Sequence, residues 1–402
     1  MNSHTQQQGS VFGAIMLVAG CCVGAGMLGL PVLSSAAGFI PSAICYILAW
    51  LFMTCTGLLL LEVNLWFKDN VSIISMVDRT LGPLGRSLSW FLYLFLFYSV
   101  MVAYIAGSGG LFSDLYARYT GNTIALWTAS LIFVTIFGII IYRGTLNVDW
   151  VNRLLMFGLI ITYVALIGLG LPSVDVQLLK RQDWKSIVLV IPAMIISFGF
   201  HNLVPSLTTY LNHDAKKLRL TLIIGSSIPL FIYLVWQFVI LGIVPSGGFQ
   251  ESLDEGAMVT HALKNAAGSP WVILFAEYFA LFAIVTSFLA VAFSFVDFLS
   301  DGLKIEKTNK GKIILCLLTL VPPFAFAVTY PYVFLNALNY AGAFGAVVLF
   351  GIFPAIMVWK GRYRQHIQGI RLLGGGRITL ILIIIVALGV FLMQLFRELN
   401  VI

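Results

Sequence analysis

Residues 18 to 31, VAGCCVGAGMLGLP, fall in the middle of the chain's first apolar run of membrane-crossing length, near 11 to 37, and break it with Gly20, Gly24, Gly26, Gly29 and Pro31. Glycine admits backbone conformations other residues avoid, and proline removes a donor and clashes with the preceding turn. Within hydrocarbon no water repairs the loss, and each unpaired backbone group costs several kcal/mol. Such a break survives only where it faces protein or an aqueous cavity, so it is a candidate binding site. Gly20 and Gly24 also form a GxxxG pattern, and a close-packing stripe is the competing reading.

The rest of the 402 residues supports a membrane setting: 60% hydrophobic and 10% charged, with a mean hydropathy of +0.99. A soluble globular chain carries about a quarter charged residues. Further runs of roughly 20 residues or more fall near 40 to 66, 87 to 112, 123 to 142, 151 to 171, 186 to 211, 219 to 244, 271 to 299, 312 to 330, 333 to 358 and 377 to 396. The reading is an all-α integral membrane protein of eleven transmembrane helices. The longest polar interval, 245 to 270, is too short to fold alone, so residues 11 to 402 form one transporter-sized domain behind a short tail, 1 to 10. Seventeen of the 23 Lys and Arg fall on the side of the N-terminus, which the positive-inside rule places in the cytoplasm. An odd helix count then puts the C-terminus outside. The net charge of +7 follows from loops beside anionic headgroups and calls for no nucleic acid.

The tail MNSHTQQQGS lacks the charged region and cleavage site of a signal peptide. The five cysteines, Cys21, Cys22, Cys45, Cys55 and Cys316, form no CxxC pair and read as small packing residues rather than disulfides or a metal site.

A second break lies in the sixth run, PAMIISFGFHNLVPSL, where Gly199 and Pro205 bracket His201 and Asn202. Pro31 and Pro205 stand 174 residues apart, and each broken run opens a block of five. Five is odd, so the second block enters from the opposite face. The pattern is an inverted repeat, about 11 to 171 and 186 to 358, with an extra helix at 377 to 396. Paired interrupted helices at corresponding positions of two halves are the sequence pointer to a secondary transporter's midplane site.

Half-helices dictate the chemistry. Free amides around Ala25, Gly26, Met27 and Leu28, at a half-helix start, suit an anion such as a carboxylate. Freed carbonyls of Gly20 and Val23 suit a cation or an ammonium group, so a zwitterionic amino acid satisfies both. Phe198 and Phe200, flanking Gly199, offer room for its side chain, with Tyr98, Tyr104 and Phe12 as further candidates. In the eighth run Ala283, Thr286 and Ser287 share a face. Their two hydroxyls either join the Gly20 and Val23 carbonyls around a small cation or bond back to the preceding turn. His201 either picks up and releases a proton or holds a freed carbonyl as neutral imidazole. Glu62, Asp297 and Asp301 lie toward cytoplasmic helix ends, as solvated faces or gate contacts, and Glu277 lies in the outer half of the eighth run. Residues 249 to 268 read as a short amphipathic surface helix.

The motifs VGAGMLGLP, SFGFHNLVPSLTTYL and TSFLAVAFSFVDFLSDGL, with the eleven-run layout, resemble the bacterial hydroxy and aromatic amino acid permeases, most closely those for tyrosine or tryptophan. The resemblance implies the five-plus-five inverted repeat of the leucine-transporter type and proton-coupled uptake across the inner membrane. It puts Ala25 and Gly26 at the substrate carboxylate, and Gly20, Val23, Ala283, Thr286 and Ser287 at one cation site. Met27 stands where a second sodium site would need an oxygen-bearing side chain, and the tail has no Arg or Lys for a gate pair.

The expected function is secondary active import of an aromatic amino acid, tyrosine first, by proton symport and rocking of helices 1, 2, 6 and 7. A sodium-coupled or broader neutral amino acid permease is the alternative. No cofactor, metal centre or obligate protein partner is called for; the expected partners are the amino acid and the lipid bilayer. A passive channel would need a continuous polar lining. An enzyme would need a nucleophile with its base, or a ligand cluster, that no run supplies.

Overall fold

A computed structural model describes residues 10–24, 26–67, 69, 71–266 and 268–399. Every regular element among them is helical. The first run is two helices, α1 (Val11–Cys22) and α2 (Gly26–Ser34), whose axes differ by 51°. Ser10 caps α1 by accepting the Gly13 amide at 2.9 Å. Gly38, at φ 84°, turns the chain into α3 (Phe39–Leu65) against the Arg181 carbonyl, leaving no room for a Cβ.

A short amphipathic helix, α4 (Ile73–Leu81), follows, with Ile73, Met76, Val77 and Thr80 buried on one face. The long α5 (Pro83–Thr120), α6 (Leu126–Arg143) and α7 (Thr145–Gly170) complete the first half of the chain. The sixth run is again two helices, α8 (Ile191–Ser197) and α9 (Val204–Tyr210), separated by a non-helical step and one 3-10 turn at His201–Leu203. Then come α10 (Ala215–Ile243), the short pair α11 (Gln250–Asp254) and α12 (Val259–Ala266), and α13 (Pro270–Leu303). The remainder is α14 (Asn309–Thr329), α15 (Phe334–Tyr340) running through a π-helical stretch at Ala341–Ile352 into α16 (Phe353–Tyr363), and α17 (Gly376–Glu398).

Ten of these helices or continuous helical runs are long and apolar enough to cross a membrane, and up to eleven if α1 and α2 count as one bent span. Their burial sorts them into two shells. In the most apolar windows of α3, α8–α9, α13 and α15–α16, 61 to 78% of residues are buried, against 22 to 28% in α6, α7 and α17. Helix α17, with only 28% of that window buried, has the highest mean hydropathy, 2.9. That inverts the rule for soluble proteins, because here the solvent is as apolar as the core. Both broken runs lie inside: α1 packs on α10, α10 on α3, α2 on α8, and α13 runs between α5 and α7.

The structure differs from the sequence reading at three places. The amphipathic segment at 249 to 268 is two helices split at Gly256, whose φ of 56° ends the first, and Met258, Val259, Ala262 and Leu263 are buried rather than lying on an open surface. Helix α4 and the π-helical stretch were not foreseen. Glu62 is no solvated face: it is 1% exposed and takes Arg362 Nε and Nη2 at 2.6 Å each, with the Leu372 amide at 2.9 Å. A buried carboxylate is tolerable only when paired and hydrogen-bonded in this way, and the clamp ties α3 to the end of α16. Asp297 is paired at the surface with Lys307 at 2.7 Å. Glu277, buried, pairs with Arg118 of α5 at 2.9 Å.

Candidate functional site

At the first break the helix stops after Cys22, and Val23 turns extended at φ −73° and ψ 103°. The carbonyl of Cys22, which a continuing helix would have given to residue 26, instead accepts the Tyr233 hydroxyl at 2.6 Å. The second break frees the Ser197 carbonyl in the same way, and it lies 3.0 Å from the same Tyr233 oxygen. One hydroxyl hydrogen on α10 is therefore shared between the two interrupted helices. Pro31 adds a third freed carbonyl, because without an N–H it cannot serve Met27 four residues back. Trp236, one turn beyond Tyr233, donates Nε1 to that Met27 oxygen at 3.0 Å. Every one of these freed acceptors is satisfied by an aromatic donor of α10, as a buried carbonyl requires.

Between the breaks lies a cavity of about 100 Å³. Gly24 and Gly26 line it from the first break, and Ser197, Gly199 and Asn202 from the second. Ser287 and Val291 come from α13, and Tyr93, Leu96, Phe97, Val100 and Tyr104 form a single stripe of α5. Leu338 of α15 and Phe350, within the π-helical turns, complete it. The two glycines are required sterically: a Cβ on Gly24 would collide with Ser287 Oγ, and one on Gly26 would lie 2.7 Å from Ser197 Oγ. Gly20 meets nothing closer than Met156 Cε at 3.5 Å, so the glycines of the break serve the cavity more than a helix-packing stripe.

Two lining residues, Cys21 and Asn202, are exposed, on the halves of the broken helices that lead to Ser10 and Tyr210. Those two halves are joined there by the Ser10 amide donating to Tyr210 Oη at 3.4 Å. The other side is closed by α15, where Leu335, Leu338 and Phe334 would stand 3.0 to 3.3 Å from any Cβ on Gly29. Cys21, read from sequence as a packing residue, thus borders the cavity, its thiol 3.5 Å from the Gly199 carbonyl.

Ala25 lies outside the described residues. Gly26 lines the cavity, but Met27 and Leu28 do not: their side chains are fully buried in the core, and the Met27 amide donates to the Gly24 carbonyl at 3.2 Å. Phe198 and Phe200 flank Gly199 as read, yet neither ring lines the cavity. Phe198 packs edge-on against Tyr233 at 5.2 Å, and Phe200 lies on His201 at 5.0 Å with its far edge over Gly57. Gly199, between the two buried rings, is the residue of this step that lines the cavity, and it does so with backbone alone. Of the other aromatic candidates Tyr104 does line the cavity. Tyr98 donates to the Leu318 carbonyl at 2.9 Å, and Phe12 is 71% exposed.

The cation candidates separate. Thr286 Oγ1 donates back within α13, 2.8 Å from the Phe282 carbonyl and 3.2 Å from that of Ala283. Ser287 faces Gly24 and is hydrogen-bonded with the Tyr104 hydroxyl. Ala283 and Val23 are buried. His201 is fully buried between the rings of Phe200 and Phe350, at 5.0 and 4.7 Å. Its Nε2 is 2.9 Å from Thr56 Oγ1, which is also 3.1 Å from the Met53 carbonyl. One proton serves the Nε2–Thr56 contact, from the ring or from the hydroxyl according to the tautomer, and Nδ1 has no partner among the described residues.

Two discontinuous helices with a small cavity between their breaks, inside a shell of lipid-facing helices, define a membrane transport protein. The tryptophan/tyrosine permease family matches residues 7–394, and the chain belongs to that family, one of permeases rather than enzymes. Among its relatives are the tyrosine-specific transport system 1 of Haemophilus influenzae, 33% identical over 93% of each chain, and the tryptophan-specific transport protein of the same organism, 29% identical over 92% of each. The low affinity tryptophan permease of Escherichia coli is 28% identical over 96% of this chain and 95% of its own.

Proposed function

We propose that this permease imports an aromatic amino acid, tyrosine first, across a bacterial inner membrane by proton symport with alternating access. The observation that carries the proposal is the cavity between the two breaks, with glycine backbone at one end and the aromatic stripe of α5 along its length. The carboxylate would lie at the start of α2, at Gly26 with Ala25, where helix amides and dipole favour an anion. The ring would lie along Phe97 and Phe350, in a pocket as apolar as such sites usually are.

In this reading the bent pair α1–α2 is the first of eleven crossings, the chain is one domain of two inverted five-helix repeats and an added helix, and the N-terminus is cytoplasmic with the C-terminus periplasmic. The opening beside Cys21 and Asn202 is then the inward-facing arm of the cycle. Tyr233 and Trp236 support a rocking unit that includes both broken helices and α10, since they bind all three together. The coupling proton is assigned to His201, because its Nδ1 is unpartnered while the Thr286 hydroxyl is already committed to its own helix.

Uptake of labelled tyrosine into proteoliposomes tests each part. An imposed inward proton gradient should drive accumulation, tryptophan and phenylalanine should compete more strongly than alanine or leucine, and replacing sodium by choline should change nothing. Accumulation abolished without sodium and indifferent to an uncoupler would overturn the proton assignment. Competition by small aliphatic amino acids alone would overturn the aromatic one.

A further inference from the structure

Tyr93 is 5% exposed, lines the cavity, and its hydroxyl has no hydrogen-bond partner among the described residues. Its ring is held firmly, 5.7 Å from Phe298, 6.0 Å from Phe97 and 6.3 Å from Phe350. Packing thus fixes the ring while leaving its one polar atom unsatisfied. A buried hydroxyl without a partner costs stability, and phenylalanine would fill the same space without that cost. The hydroxyl is explained if its partner arrives with the ligand.

Its place on α5 says what that ligand must be. Tyr93 and Tyr104 are on one stripe, eleven residues apart, which is about 16 Å of helix. Tyr104 marks the level of the first break, through Ser287 opposite Gly24. Both side chains incline the same way along the helix, so their hydroxyls keep roughly that spacing. Allowing about 2.8 Å for a hydrogen bond at each end leaves about 10 Å. A ligand whose carboxylate is held near the first break therefore needs a long side chain with a polar atom toward its end to approach Tyr93, as an aromatic amino acid with a phenol or indole has. Leu96, Phe97 and Val100, between the two tyrosines, offer that ring only apolar contact.

We infer that the Tyr93 hydroxyl is a specificity-determining group that hydrogen-bonds the polar atom of an aromatic side chain, a phenol hydroxyl or an indole N–H, and so selects against phenylalanine. This rests on the proposed aromatic substrate and adds the residue that reads it. Phenol can donate to or accept from the Tyr93 oxygen, and an indole N–H can donate to it. Phenylalanine would bury the hydroxyl with nothing to pair. Sites built to bond a substrate's polar group reject analogues that lack it far better than apolar pockets resolve size.

Tyr93→Phe is the test, since it removes one oxygen that holds no protein partner and should leave folding intact. Wild-type protein and variant are compared for apparent affinity toward tyrosine, tryptophan and phenylalanine by competition in proteoliposomes. The same three ligands are compared by ligand-induced thermal shift of the purified protein, which needs no turnover. The preference for tyrosine over phenylalanine should fall by about tenfold or more, with phenylalanine affinity unchanged or improved. An equal loss for all three amino acids, or an unchanged ratio by either measurement, would overturn the role of Tyr93. Wild-type protein that binds none of the three would instead refute the aromatic substrate itself.

Discussion

The two helix breaks share a cavity and a donor, yet they are built from opposite materials. The first is made of absence: Gly24 and Gly26 bring bare backbone to the cavity because Ser287 and Ser197 occupy the space a side chain would need. The second is made of bulk, with Phe198, Phe200 and His201 all fully buried around Gly199. Bare backbone suits a site that must recognise the common part of every amino acid, the carboxylate and ammonium group. Packed rings suit a joint that must keep one shape while neighbouring helices move. The contrast teaches that a break in a membrane helix is not by itself a binding surface. What fills the space beside it decides.

The largest effect should come from filling the first break. Gly24→Ala places a methyl against Ser287 Oγ, and overpacking of this kind costs about 1–3 kcal/mol, so tyrosine uptake should fall by roughly ten- to a hundredfold. Ser287→Ala removes the opposing oxygen and should recover part of the loss in the double variant. Uptake that is equally poor with and without Ser287→Ala would mean that Gly24 is needed for its backbone conformation, not for space.

Next comes the hydroxyl that joins the breaks. Tyr233→Phe strips the donor from both the Cys22 and the Ser197 carbonyls, and unsatisfied buried groups cost about 1–3 kcal/mol. The thermal midpoint of the purified protein should drop, and Cys21 should react faster with a maleimide as α1 loosens. An unchanged midpoint would show that the two breaks are held independently. Thr56→Val acts on the second break only, leaving both nitrogens of His201 without a protein partner. It should cost about 1–2 kcal/mol and alter the pH dependence of uptake while leaving the tyrosine-to-tryptophan preference alone. A pH profile identical to that of the unmodified protein would remove His201 from the proposed proton path.

The breaks themselves were legible because glycine and proline leave a mark in any apolar run, and their spacing of 174 residues is plain in the sequence. What lay opposite them was not. In a soluble helix the buried stripe stands out against polar neighbours, but α5 is apolar on its lipid side as well, so Tyr93, Phe97 and Tyr104 gave no contrast to read. Tyr233 and Trp236 did carry a signal: two aromatic donors one turn apart in a membrane helix must find acceptors, and Pro31 had already freed one. Glu62 and Arg362 stand 300 residues apart, and no local pattern could pair them. The hydroxyl of Thr286 was open between two roles in the sequence, and only the rotamer, bonded back to Phe282, favours one of them in this state.

The smallest expected effect tests the contrast most directly. Phe198 is fully buried, edge-on to Tyr233, and outside the cavity lining, whereas Phe97 lines it. Phe198→Leu should therefore lower the thermal midpoint modestly, for a loss of about 1–2 kcal/mol of packing, and leave the ratio of tyrosine to tryptophan uptake within about twofold, less than 1 kcal/mol. Phe97→Leu should shift that ratio more than it shifts stability, because the leucine would change what the ring of the substrate touches. If Phe198→Leu moved the substrate ratio as far as Phe97→Leu did, the packed break would have to open its rings to the substrate during the cycle. Its bulk would then be part of recognition, and the division between a bare break that binds and a filled break that holds would fail.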